Sequence, residues 1–164
     1  FLDRSAHHVG ALVGQCSGAS ISKVRAIDVS IAAHHNVGGL CGFSGSSGLP
    51  INIDRVTVTG SIKGYQDVGG IIGAAVFTTN LTNVDFTGTV GVDLSQCDGC
   101  EDGVSRVGGI IGLLMGGRVS QARSQGMVIG AAFLGGIVGK VVKEPAPLSV
   151  CSPGSGHLED LGWE

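Results

Sequence analysis

Aromatic residues are scarce in this chain, at 4%, and proline occurs only 4 times. So few rings argue against a carbohydrate groove lined by stacking side chains. Charged residues are also few, at 14%. That excludes a disordered chain, because the remainder is rich in Val, Ile, Leu and Ala and must fold or aggregate. Lys and Arg are scattered singly against a net charge of −3. The linear sequence therefore shows no electrostatic footprint for a phosphate backbone, and nucleic acid is not an expected partner. Long apolar runs are missing too. The longest, Met127 to Val142, is broken by Gly130, Gly135, Gly136, Gly139 and Lys140 and falls short of the roughly 20 residues of a spanning helix, so no membrane span is expected. No stretch sustains a 3.6-residue apolar period with helix caps. The chain begins at Phe1, with neither an initiator Met nor a signal peptide, which reads as a processed product or an excerpt of a longer protein.

What is abundant is glycine, with 30 residues among 164, and it recurs in one hexapeptide. The copies are Val9-Gly-Ala-Leu-Val-Gly14, Val37-Gly-Gly-Leu-Cys-Gly42, Val68-Gly-Gly-Ile-Ile-Gly73, Val107-Gly-Gly-Ile-Ile-Gly112 and Leu134-Gly-Gly-Ile-Val-Gly139. A second block follows each, an apolar residue with another three positions later: Ile21 and Val24, Ile53 and Val56, Leu81 and Val84, Val119 and Ala122, Leu148 and Cys151. The middle units continue with Gly60 and Ile62, Gly88 and Val90, Gly126 and Val128, whereas unit one needs a one-residue insertion to align. The hexapeptides start 28, 31, 39 and 27 residues apart, a variable period expected when insertions are loops on a stacked scaffold. β-Branched, alternating stretches such as Val56-Thr57-Val58-Thr59 are strands. The expected architecture is an all-β single domain: a β-solenoid, in the form of a right-handed β-helix, of about five degenerate coils. In it, Gly38, Gly39, Gly69, Gly70, Gly108 and Gly109 let the backbone turn where a side chain would clash with the next coil. The columns Val24, Val56, Val84, Ala122 and Cys151 face inward.

The hexapeptide, with an apolar or Cys anchor about a dozen residues on and a downstream Gly-x-Val, resembles the GLUG repeat over roughly residues 8 to 156. That family is found in large bacterial cell-surface and secreted proteins, including adhesin-like proteins and non-catalytic regions of immunoglobulin A-cleaving metallopeptidases. The resemblance implies repeats over residues 1–156, with residues 157–164 a tail or linker to a larger parent protein, and an extracellular or cell-surface location. It says little about activity, because such repeats are building material for different functions.

Several residues invite chemistry. The glycine hexapeptides lack the Lys-Ser/Thr ending and helix of a phosphate loop. Of 5 cysteines, Cys97 and Cys100 lie in the longest insert, Val92 to Arg106, where a loop disulfide is favoured over free thiols or half of a zinc site. Cys41 and Cys151 read as small buried hydrophobes, and Cys16 could approach Cys41 from an adjacent coil. His7-His8 and His34-His35 precede the first two hexapeptides, and a 27-residue offset could stack them. Adjacent strand residues face opposite sides, so solvated coil edges are expected rather than a metal site. Asp93, Asp98, Glu101 and Asp102 fit no calcium loop and read as a solvated acidic insert. Asp28, Asp54 and Asp85 read as turn or outward-facing residues. Aligned anchors put Thr59 over Thr87 but Thr57 over Asp85 and Ser61 over Thr89, too irregular for an ice-binding ladder. Asn80-Leu81-Thr82 is a glycosylation sequon, and His157 lies in the tail without a nucleophile nearby.

Neither a cofactor nor a catalytic residue is expected. The expected function is a non-enzymatic structural or adhesive module of an extracellular protein or fibre, associating end to end with neighbouring repeats or other copies and contacting a surface protein or glycan. The alternatives are a secreted polysaccharide-acting β-helix enzyme and a partner-capture module using the 92–106 insert.

Overall fold

A computed structural model describes residues 7–45, 49–92 and 105–143. All regular structure in these segments is strand, arranged as a β-solenoid of four complete turns and two strands of a fifth. Each turn has two short strands and one long one. The first holds β1 (His7–Gly10), β2 (Val13–Cys16) and β3 (Ser20–Ala32), and the second β4 (His35–Gly38), β5 (Cys41–Ser44) and β6 (Ile51–Gly64). The third holds β7 (Gln66–Gly69), β8 (Ile72–Val76) and β9 (Thr79–Val92), and the fourth β10 (Val107–Gly108), β11 (Ile111–Met115) and β12 (Arg118–Ile129). β13 (Leu134–Gly135) and β14 (Val138–Val141) belong to the fifth. The strands stack into three parallel sheets, ordered β1-β4-β7-β10-β13, β2-β5-β8-β11-β14 and β3-β6-β9-β12.

The hexapeptide folds as the corner between the first two sheets. Its opening Val-Gly forms the short strand, the second glycine and the next apolar residue make the turn, and the closing pair starts the next strand. Hydrogen bonding to the neighbouring turn continues through the corner: the amides of Leu40 and Cys41 both donate to the Ile71 carbonyl at 3.0 Å, and those of Ile71 and Ile72 to the Ile110 carbonyl at 2.9 and 3.0 Å. With backbone groups so fully paired across the coils, there is no room for a side chain at the turns of the second, third and fourth coils. A Cβ on Gly39 would strike the Gly70 carbonyl, one on Gly70 the Gly109 carbonyl and the Phe86 ring, and one on Gly109 the Gly136 carbonyl. The steric reading of these glycines is borne out.

The second blocks supply the long sheet. Ile21, Ile53, Leu81 and Val119 form one register row, and Val24, Val56, Val84 and Ala122 another. Val56 and Val84 are fully buried, while Val24 and Ala122, nearer the ends, are half-buried against the core. Cys151, expected in the same row, lies outside the described residues. The bends sit where the sequence spacing breaks. Between the paired anchors, Lys23, Arg55, Asn83 and Gln121 all take positive φ (58°, 52°, 53° and 51°), turning the chain by a corner that repeats in every coil. The later glycines, Gly60, Gly88 and Gly126, have φ of 142°, 146° and 133°, a conformation that favours glycine. The extra residue of unit one is a β-bulge between Ala26 and Val29, with Asp28 at φ 54° and Ile27 turned outward. Thr57 pairs with Asp85, Thr59 with Thr87 and Ser61 with Thr89, the irregular array expected.

Candidate functional site

The outer face of the long sheet is polar in regular rows. Ser20, Asn52, Asn80 and Arg118 form one row, and Ser22, Asp54, Thr82 and Ser120 the next. Beside them runs the positive-φ ridge of Lys23, Arg55, Asn83 and Gln121, then Arg25, Thr57, Asp85 and Arg123. Because the ridge is a corner, its side chains splay apart, leaving a shallow depression lined by Lys23, Arg25, Arg55, Thr57, Asn83 and Asp85. Arg55 Nε lies 2.7 Å from the Asp54 carboxylate, whose other oxygen accepts from Asn83 Nδ2 at 3.2 Å. Lys23 and Arg25 are exposed, and no described carboxylate lies within ion-pair distance of either. Asp28 occupies the bulge, where its amide donates to Thr59 Oγ1 at 3.0 Å. The sequon residue Asn80 sits mid-sheet with Nδ2 donating to Asn52 Oδ1 at 3.1 Å, and Thr82 Oγ1 lies 3.3 Å from Ser120 Oγ. The sequon therefore falls within inter-coil side-chain ladders.

A second cluster lies where the first three turns enter the first sheet. The true offset is 28 residues, because His7 pairs with His35. His8 consequently faces Asn36, whose Nδ2 lies 2.9 Å from His8 Nδ1. The His7 and His35 rings stack at 4.9 Å and 4°, His34 stacks on Tyr65 at 4.9 Å and 9°, and His34 meets His35 edge-on at 4.0 Å. The histidines are thus more ordered than the solvated edge expected from sequence: His7 is exposed, while His8, His34 and His35 are half-buried. No group of three or more metal-ligating side chains converges among the described residues. Burial lowers the pKa of His35 below 6.5, and the neighbouring His34 and His7 lower it further, against a hydrogen bond from Gln66. A lowered folded pKa means that this group's contribution to stability is present above about pH 6.5 and is lost as pH falls through the folded value. Acidification from about pH 7.5 to about pH 5 should accordingly lower the melting temperature, and His35→Gln should reduce that drop. Melting curves at a series of pH values check this, and an unchanged pH dependence in the variant would refute it.

Two pairings complete the described site, one raised from the sequence as an approach of Cys16 to Cys41 and one that the sequence reading missed. Cys16 and Cys41, 25 residues apart and both buried, form a disulfide between the first two turns. Cys41 is therefore a cross-link and not only a small hydrophobe. Closing a loop of that size stabilises by about 2–4 kcal/mol, chiefly by restricting the unfolded chain. Cys16→Ala with Cys41→Ala should lower the unfolding free energy by that amount without changing secondary structure, which circular dichroism and urea titration would measure. Cys97 and Cys100 lie outside the described residues, as do Asp93, Asp98, Glu101, Asp102 and His157. The second pairing is Asp67 with Arg106: Nη2 donates to Oδ2 at 2.7 Å and Nε lies 2.5 Å from Oδ1. Burial pushes the Asp67 pKa up, while Arg106 opposes the shift. Each residue directly precedes a hexapeptide valine, so opposite charges in one column were the available signal.

No family model, curated protein or solved structure matches this chain. The functional reading therefore rests on the geometry of the coils and on the residues they align.

Proposed function

We propose that this chain is a non-enzymatic structural and adhesive repeat module of an extracellular or cell-surface protein, one that associates end to end. The observation that carries the reading is that, among the described residues, two apolar columns each finish in an exposed residue, one at either end of the stack. The column of Val37, Val68 and Val107 is fully buried, but its last member, Leu134, is 48% exposed. At the opposite end Leu12, in the same corner position as the buried Leu40, Ile71 and Ile110, is 53% exposed. Among the described residues, the edge strands of the first turn pair on one side only. Open strand edges and exposed column residues call for another coil, supplied by neighbouring repeats or by a second copy in head-to-tail contact. The Cys16–Cys41 disulfide supports an oxidising, extracellular setting, and the resemblance to the GLUG repeat points the same way.

Light scattering and negative-stain imaging across concentration test the proposal. Rods that lengthen with concentration are expected, and Leu12→Lys combined with Leu134→Lys should hold the particles at one chain. A wild-type chain that stays monomeric throughout would overturn it.

A further inference from the structure

We infer that the ridge of the long sheet binds an acidic polysaccharide, a polymer of carboxylate-bearing sugars. This inference rests on the adhesive reading and names its ligand class.

Charge is the first argument. The chain as a whole carries −3, with 10 Lys and Arg against 13 Asp and Glu. On the long strands themselves the balance is the reverse. Six of the cations, Lys23, Arg25, Arg55, Lys63, Arg118 and Arg123, are exposed residues of the long strands. The carboxylates on those strands are Asp28, Asp54 and Asp85, and Asp54 is already engaged by Arg55 and Asn83. The coil register thus brings Lys23, Arg25 and Arg55, dispersed along the sequence, to one corner of the long sheet. Lys23, Arg25 and Arg55 converge on a single depression.

The second argument is the chemistry around those charges. The flanking rows are mostly hydroxyls and amides: Ser20, Asn52 and Asn80 with Arg118, then Ser22, Thr82 and Ser120 with Asp54, whose carboxylate is held by Arg55 and Asn83. They repeat at the strand spacing of about 4.8 Å, so an extended chain lying across the coils meets a similar donor and acceptor at each step. Asn side chains can donate to and accept from sugar hydroxyls and the Asp85 carboxylate can accept from them, while Lys23 and Arg25 pair with ring carboxylates. Arg is suited to the latter by its bidentate fork. None of these rows contains an aromatic residue, the platform on which unpaired bases stack. The ridge also presents no helix or two-stranded ribbon, the elements that enter a duplex groove, among the described residues. Without rings the face cannot stack sugars either, so recognition here is by charge and hydrogen bonds, which a carboxylate-bearing saccharide supplies.

Binding of a polyuronate such as alginate, measured by calorimetry in the Leu12→Lys, Leu134→Lys background, separates this inference from end-to-end assembly. The ridge retains its charge there whether or not the wild-type chain forms rods. The expected result is binding that weakens with salt, is absent for neutral dextran, and falls at least about tenfold on Lys23→Gln, Arg25→Gln and Arg55→Gln together, with Lys143→Gln as an unaffected control. All three substituted side chains are exposed, so folding of the variant is expected and is checked by its melting curve. Should the triple variant fail to fold, the single variants Lys23→Gln and Arg25→Gln give the same comparison, each expected to weaken binding. No polyuronate binding, equal binding by the substituted ridge, or tighter binding of double-stranded DNA or polyphosphate would each overturn the inference.

Discussion

Val84→Asp should abolish cooperative unfolding, while Asp85→Asn, one residue away, should change the stability by no more than about 0.5 kcal/mol. Val84 is 0% exposed and lies between Val56 and Ala122 in the central column of the long sheet. An aspartate there finds no cation inside a column of aliphatic side chains. Its carboxylate must be buried unpaired or protonated, at a cost of several kcal/mol. Domains of this size are stabilised by about 5–15 kcal/mol in total, and the buried column is shared by adjacent coils, so the loss propagates along the stack. Asp85 points outward into the ridge depression, where the amide fits the same space. Thermal melts followed by circular dichroism make the comparison, and similar tolerance of both substitutions would reject the register.

Gly70→Val should be comparably severe, costing more than about 4 kcal/mol, whereas Gly136→Val should cost less than about 1 kcal/mol. Both glycines hold the same place in the hexapeptide. A side chain on Gly70 would collide with the Gly109 carbonyl on one side and with Phe86 on the other, while a Cβ on Gly136 meets nothing within 4 Å. Neither has positive φ, so conformational freedom is not the reason for glycine at either site. The difference arises from the coil stacked against Gly70. Urea titrations of the two variants check this, and equal losses would show that the motif demands glycine for a local reason instead.

The parts of this fold legible in the sequence are those fixed by short-range pattern repeated at a common place. Hexapeptide glycines, paired anchors and the Gly-x-Val ending each recur within one unit, and aligning them set the register of Val56 with Val84 and Thr59 with Thr87. Even the extra residue of unit one emerged as a bulge at Asp28. What was illegible depends on diagonal or cumulative geometry. Cys16 lies opposite Ser44 and Cys41 opposite Val13, so the bonded cysteines occupy different rows and no column alignment pairs them. The histidine stack was missed by a single residue of offset. Lys23 and Arg55 are 32 residues apart although their hexapeptides start 28 apart, because the turn between the second and third sheets is longer in the second coil. The anchor pairs Ile21/Val24 and Ile53/Val56 align them all the same; what only the folded chain shows is that their shared place is a positive-φ corner with a depression beside it.

Methyl-labelled NMR in solution tests the coil stack most directly. The account predicts cross-peaks between Val56 and Val84, Ile53 and Leu81, and Leu81 and Val119, side chains that adjoin only when successive turns lie in parallel register. Absence of these contacts, with Val84 methyls instead meeting residues three or four positions along the chain, would contradict it.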